Sequence, residues 1–469
     1  MHPRTIEQRI HSRVLKLFYP RLSFLLGGCA LAGFGLWKIR VSSVVSSPAI
    51  KKTEAVLAPA SSSCEVALLP HEGIEQIDRE IKQLQDEART ATKRGDTIKR
   101  LGWAFITKAR LSYDPGYYKL AEQCSFCVQS ENANDPDAFL LQGHILDSSH
   151  KFKEAESVAR RLVTIRNEAL DHGLLGDVLM EQGRLDEAVV SYQKMINLRP
   201  DLQSYTRVAN IRWLKGDVQG ATEVMQMAVT AGSPREAEPT AWAYTRLGIY
   251  ELQAANTEAA AKSAGIALQF AENYAAALLL RGRILLAQGK AVEAIESLQP
   301  ATTFTSLPEY QWTLADALRA VGKTQAAEDV ERHLISNGAV NDPRTFALYL
   351  VSRGQRIQQA LALAEAELNT RADVFTMDAV AWTLKANGRL DEARDYSERS
   401  LKEGTQDARL FYHAGSIAMA LGNHSSACEL FRRAEQSKQT LMPSERDDLN
   451  RQFAAVSERD ETPATARGN

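Results

Sequence analysis

A chain of 469 residues has room for about three ordinary domains or one long repeat array. Its 27 glycines and 15 prolines make up roughly 9% of the chain against an average near 12%, too few turn formers for an all-β or collagen-like fold. Its 44% hydrophobic content excludes wholesale disorder. The 56 lysines and arginines nearly cancel the 58 acids, which removes the electrostatic case for nucleic-acid binding, and five scattered cysteines define no disulfide framework.

That balance hides an uneven distribution. Residues 1–40 carry seven basic groups and one acid. Residues 1–21 read as a basic tail, and 22–37, LSFLLGGCALAGFGLW, as an uncharged apolar run. As a helix the run is about 24 Å long, short of the ~30 Å hydrocarbon core. Arg21 and Lys38 can snorkel, however, and Trp37 suits the interface, so the pattern predicts a single-pass membrane anchor. Three other readings stand beside it. A cleaved signal peptide lacks its small-residue site, because Lys38-Ile39-Arg40 follows the run. Leu26-Gly27-Gly28-Cys29 resembles a lipoprotein box, yet apolar residues continue past the cysteine; a mitochondrial presequence would not carry so long an apolar core. A basic tail ahead of the first apolar run favours an N-inside topology, with the rest of the chain outside the cytoplasm.

Residues 41–72, rich in Ser, Val, Ala and Pro without period, read as a flexible linker. Over 73–101 the spacing of Ile74, Ile77, Ile81, Leu84, Ala88 and Ala91 alternates between three and four, which predicts a helix capping the next domain.

Beyond this the chain repeats. Ala121, Ala155, Ala188, Ala221, Ala260, Ala294, Ala327, Ala360, Ala393 and Ala427 recur at intervals of 33 or 34 residues, with one interval of 39. Twelve residues before each alanine stands Gly or Ala, Leu348 excepted, and five before it glycine occupies 183, 216, 289, 322, 388 and 422. Small side chains spaced this way let two antiparallel helices approach, and a glycine after the first takes the left-handed cap conformation cheaply. One such hairpin cannot bury its apolar faces alone, so neighbours must stack.

These columns, with aromatics at Tyr192 and Phe431 and a proline at Pro200, resemble the tetratricopeptide-repeat (TPR) family, in particular membrane-anchored bacterial-type members. The resemblance implies an all-α, right-handed superhelical solenoid of antiparallel helix pairs behind the N-terminal transmembrane helix. Repeats 1–4 fall in 102–235 and repeats 5–10 in 236–440, the long interval marking an insertion within 231–239. A C-terminal capping helix over 441–458 and a disordered tail over 459–469 complete the expected organisation. The consensus tryptophan of the first helix is absent, and Pro300 is predicted to end its helix early.

The resemblance further implies that first-helix positions 2, 5, 6, 9, 12 and 13 line the concave face. Trp103, Arg207, Asn210, Trp213, Trp242, Arg246, Arg283, Trp312, Tyr349, Trp382 and Tyr412 fall there, and form the expected partner-binding groove. Upstream, Asp137, Asp147, Asp177 and Glu181 make the groove of repeats 2–3 acidic. Arginines flanked by indoles point to an acidic peptide or protein segment as ligand. The Lys/Asn carboxylate clamp of some TPR domains is matched by Asn210 alone.

No catalytic constellation is legible. Residues 317–324 satisfy a permissive P-loop pattern but close a first helix, and no strand precedes them. Cys124 and Cys127 form a single CxxC within a helix and read as buried or half-buried thiols. His144, Asp147 and His150 do not share a helix face. No metal or cofactor is expected. The expected function is a non-catalytic, membrane-tethered scaffold or adaptor, by family analogy in envelope assembly or secretion. The contrasting reading is a non-catalytic TPR subunit of a larger enzyme complex such as a glycosyltransferase.

Overall fold

The computed structural model describes residues 62–460, which form one unit. The predicted anchor at 22–37, the basic tail and residues 461–469 lie outside the described residues. No helix among the described residues is long and apolar enough to cross a membrane.

Two helices precede the repeats, α1 (Ser63–Ala67) and α2 (Gln76–Thr90). Residues 62–67 therefore differ from the linker reading: Ser62 caps α1 in a capping box with Glu65, and Cys64 and Ala67 are buried. In α2, Ile77, Ile81, Leu84 and Ala88 face the core, whereas Ile74 precedes the helix and is 86% exposed. Cys64 is disulfide-bonded to Cys127, 63 residues downstream, which corrects the free-thiol reading of Cys127; Cys124 is a buried free thiol.

Ten helical hairpins follow. They are α3 (Gly95–Ser112) with α4 (Gly116–Glu131), α5 (Pro136–Ser148) with α6 (Phe152–Ile165), and α7 (Ala169–Glu181) with α8 (Leu185–Leu198). Next come α9 (Leu202–Leu214) with α10 (Val218–Ala231), α11 (Ala237–Gln253) with α12 (Thr257–Phe270), and α13 (Ala275–Ala287) with α14 (Ala291–Phe304). The last four are α15 (Pro308–Ala320) with α16 (Thr324–Asn341), α17 (Pro343–Ser352) with α18 (Ile357–Leu368), α19 (Val374–Ala386) with α20 (Leu390–Leu401), and α21 (Ala408–Ala420) with α22 (His424–Glu435). All ten marker alanines are 0% exposed. Their partners must be small: a Cβ built on Gly176 would overlap the Tyr192 ring, and one on Gly415 the Phe431 ring. First helices start where the sequence supplies a cap, as at Asp135, Asp201, Asp373 and Asp407.

One local expectation is corrected. Pro300 lies inside α14, which continues to Phe304. The proline falls only one turn from the C-terminus, where few intrahelical bonds remain to be lost, and Ala301 beyond it is buried. The insertion at 231–239 is a 3-10 turn, Pro234–Glu236, feeding an α11 of 17 residues. Thr240, fully buried, ties that turn down by accepting from the Ser233 amide at 3.1 Å.

A final helix, α23 (Pro443–Asp460), continues the stacking. Glu445, Asp448 and Gln452 pair with Arg409, Tyr412 and Ser416 of α21, each at a sequence distance of 36 residues. α23 thus occupies the place of an eleventh first helix.

The winding is tight enough for the chain to meet itself. Ala372 N–H donates to the Glu181 carbonyl at 3.1 Å, and Thr405 Oγ1 to the Leu214 carbonyl at 2.5 Å. Gln439 Nε2 donates to the Leu252 carbonyl at 2.7 Å, and Arg446 Nη2 to the Leu286 carbonyl at 3.2 Å. The ends of the first helices of repeats 3 to 6 therefore rest on the connections after repeats 8 to 10 and on α23, which become the far wall of the groove.

Candidate functional site

Between these two walls lies a cavity of about 420 Å³. Trp213 from α9, Trp242, Arg246 and Gln253 from α11, and Leu279, Leu280 and Arg283 from α13 line its first wall. Arg344 from α17, Phe375 from α19, and Asp407 and Arg409 with Thr440 and Leu441 line the second.

The arginines differ in what they face. Arg207, outside this cavity, donates to Asp177 from Nε at 2.9 and 3.0 Å and from Nη2 at 2.7 Å. Burial opposes its charge, but the Asp177 carboxylate raises its pKa overall. Arg283 pairs with Glu309 at 2.6 Å and donates to the Thr440 carbonyl. Arg344 pairs with Asp373 at 3.0 Å, and Arg409 with Glu445 through two bonds of 2.8 and 3.0 Å.

Arg246 has no carboxylate within ion-pairing distance among the described residues. Its Nη2 donates to Asn210 Oδ1 at 3.0 Å and to the Tyr250 hydroxyl at 3.3 Å. Its guanidinium carbon stands 5.2 to 6.0 Å from the ring centroids of Tyr250, Trp213 and Trp242, within cation–π range. Arg246 Nε and Trp213 Nε1 are buried donors without an acceptor, and Gln253 Oε1 is a buried acceptor without a donor. Burying such groups unpaired costs free energy, and all three residues line the cavity.

The remaining sequence-predicted residues divide. Trp242 is 37% exposed and lines both this cavity and its neighbour at Arg110, Asp177, Arg207 and Asn210. Trp213 is buried, stacked on Phe375 at 5.5 Å. Trp103 is half-buried, edge-on to His144 at 5.1 Å, remote from the cavity lining. Trp312, Tyr349, Trp382 and Tyr412 are buried between successive first helices: Trp312 meets Tyr349, Trp382 stacks on His413 at 4.0 Å, and the Tyr412 hydroxyl donates to Asp448. They build the core of repeats 7–10, not the cavity.

The acidic stretch of repeats 2–3 is largely met from within. Asp137 pairs with Lys99 and Arg166, Asp177 with Arg207, and Glu181 with Arg371 across the groove. Asp147 Oδ1 is buried without a partner; burial, then the Asp177 and Glu181 carboxylates, hold its pKa well above the usual carboxylate range. The sole cluster of metal-ligating side chains among the described residues is Cys64, Cys127 and Glu131, whose two sulfurs are bonded to each other.

Arg344, Phe375 and Arg409 of repeats 8–10 line the cavity but were not assigned to the site from sequence, which placed Tyr349, Trp382 and Tyr412 there instead. Phe375 and Arg409 stand at first-helix position 2, the same inward position as Trp242, so the register carried a signal for them; Arg344 does not share it.

Tetratricopeptide-repeat family models match residues 172–202, 245–304 and 381–440, so the chain carries TPR repeats. Such repeats generally act as protein-binding scaffolds. No curated protein sequence matches this one. Among solved structures, the human IFIT1 dimer with PPP-AAAA is similar at 11% identity and a TM-score of 0.44, over 80% of this chain and 93% of that one. Yeast Tom70 is similar at 14% identity and a TM-score of 0.36, over 83% and 98%. A tetratricopeptide repeat protein from Parabacteroides merdae is similar at 16% identity and 0.31, over 55% and 98%.

Proposed function

We propose that the protein is a non-catalytic scaffold that holds an acidic segment of a partner protein in the groove of repeats 4–6, while its N-terminal run fastens it to a membrane. The observation that carries this reading is Arg246: a guanidinium framed by Trp213, Trp242 and Tyr250, facing a cavity and lacking a carboxylate of its own. Guanidinium groups favour carboxylates, and exposed aromatics beside arginine are typical of binding hot spots.

The Cys64–Cys127 disulfide supports a placement of the repeats outside the cytoplasm, since such bonds persist in oxidising compartments. N-inside insertion of the 22–37 run would give the same placement.

The test is an array of short peptides probed with the full chain in detergent micelles. Acidic sequences should dominate the bound set, and their binding should weaken with salt. Trp242→Ala should remove most of the signal. Retention of an unchanged, charge-indifferent bound set by Trp242→Ala would remove this groove as the site.

A further inference from the structure

Resting on that reading, we infer that the cavity between the two walls recognises one chemical unit: a carboxylate with an amide N–H close to it and an aliphatic or aromatic body. Each part answers an unpaired group on the wall. Arg246 Nε and Trp213 Nε1 are buried donors with no acceptor, and Arg246 is the cavity arginine without a carboxylate partner. Two orphan donors, one of them cationic, call for an anionic acceptor. Gln253 Oε1 is a buried acceptor with no donor, which calls for an N–H on the same ligand. Leu279, Leu280, Leu441 and Phe375 form an apolar part of the lining that suits a hydrocarbon body, beside Asp407 and the arginines Arg283, Arg344 and Arg409, which are already ion-paired. A volume of about 420 Å³ lies in the range of small-ligand sites.

The second wall makes this a site of limited access. Arg283 Nη2 donates to the Thr440 carbonyl and Gln439 to the Leu252 carbonyl, so the segment after repeat 10 closes over the first wall. A folded partner surface does not fit between walls joined in this way, whereas a single residue does. The unit occurs in two sources, an acidic residue within a protein segment and a free N-acyl amino acid, and both present the same groups to the wall.

The experiment titrates the full chain in detergent micelles, by calorimetry and tryptophan fluorescence, with N-acetyl-leucine, with N-acetyl-leucinamide, and with a capped pentapeptide bearing one central glutamate between leucines. The free acid should bind about ten- to a hundredfold more tightly than the amide, the worth of a hydrogen bond to a charged group. Arg246→Gln should erase that preference in a chain that still unfolds cooperatively, and Arg246→Lys should restore part of it. Tighter binding of the pentapeptide assigns the unit to a protein segment, and tighter binding of acetyl-leucine assigns it to a small acid. Equal affinities for acid and amide, no binding of either, or an Arg246→Gln variant that keeps the preference would overturn the inference. If array peptides bind through Trp242 while acid and amide behave alike, the groove reading stands and this inference falls. If no array peptide binds yet the acid preference holds, the groove reading falls and this inference stands.

Discussion

The backbone amide of Ala372 donates to the carbonyl of Glu181 at 3.1 Å, joining the end of the third repeat's first helix to the connection after the eighth repeat. Beside it the Arg371 guanidinium approaches the Glu181 carboxylate to 2.6 Å. Contacts of this kind convert a spring of stacked hairpins, in which each repeat touches only its neighbours, into a superhelix whose later repeats support earlier ones.

Gly183 separates this effect from ordinary turn chemistry. Gly183 and Gly289 both adopt positive φ, +74° and +76°, in equivalent turns. A Cβ at Gly183 would overlap the Ala372 carbonyl oxygen, whereas one at Gly289 meets nothing within 4 Å. Gly289→Ala should therefore cost about 1–2 kcal/mol, the left-handed penalty alone. Gly183→Ala should cost distinctly more and enlarge the particle in small-angle scattering. Equal losses and equal radii would show that the contact between turns contributes nothing.

The disulfide makes a second prediction. Closing a loop of this length removes up to about 4 kcal/mol of unfolded-state freedom, with 2–4 kcal/mol typical in practice. Cys64→Ala should lower stability by about that amount and release α1, leaving the repeats folded. A non-reducing digest should yield one crosslinked pair of peptides carrying Cys64 and Cys127, and Cys124 should react with thiol reagents only after unfolding, because burial raises its pKa.

The repeats were legible because their signal is local and periodic: a buried alanine and a small partner recur within each hairpin, and packing there tolerates little else. The Cys64–Cys127 bond was not, since its two ends lie 63 residues apart in segments read separately. Position arithmetic placed Trp312, Tyr349, Trp382 and Tyr412 toward the groove, but positions 5 and 9 also meet the next first helix, and tight winding covers them. Arg207 looked available on the same grounds; its carboxylate partner, Asp177, comes from the preceding repeat. What separates Arg246 from Arg207, Arg283, Arg344 and Arg409 is a missing counter-charge, which only the folded arrangement exposes.

Two tryptophans should respond in opposite ways to truncation. Trp312 is 0% exposed and in contact with Tyr349 and Arg409, so Trp312→Ala should cost about 3–5 kcal/mol in denaturant unfolding. Trp242, 37% exposed on the cavity rim, should cost under about 1 kcal/mol when truncated while losing the array signal. Reversal of that order would place Trp242 in the core and Trp312 outside it.

The pH dependence of stability has opposite signs at two acids. Burial, then Asp177 and Glu181, raise the Asp147 pKa well above its unfolded value. Between the two values the native state binds more protons than the unfolded state, so stability falls as pH rises from the unfolded value toward the raised folded one. Asp147→Asn should thus stabilise the protein at neutral pH, with an advantage that shrinks as pH falls toward the unfolded value near ~4. Glu445 behaves in reverse: burial opposes its charge, but Arg409 outweighs that and lowers its pKa. Its contribution is present above the unfolded value and is lost as pH falls through the depressed folded one. Glu445→Gln leaves the half-buried Arg409 without this carboxylate and should cost about 1–3 kcal/mol at neutral pH, with the loss narrowing in acid. Thermal midpoints of both variants across an acid-to-neutral series decide the matter, and an Asp147→Asn variant that is destabilised at neutral pH would show its carboxylate to be paired.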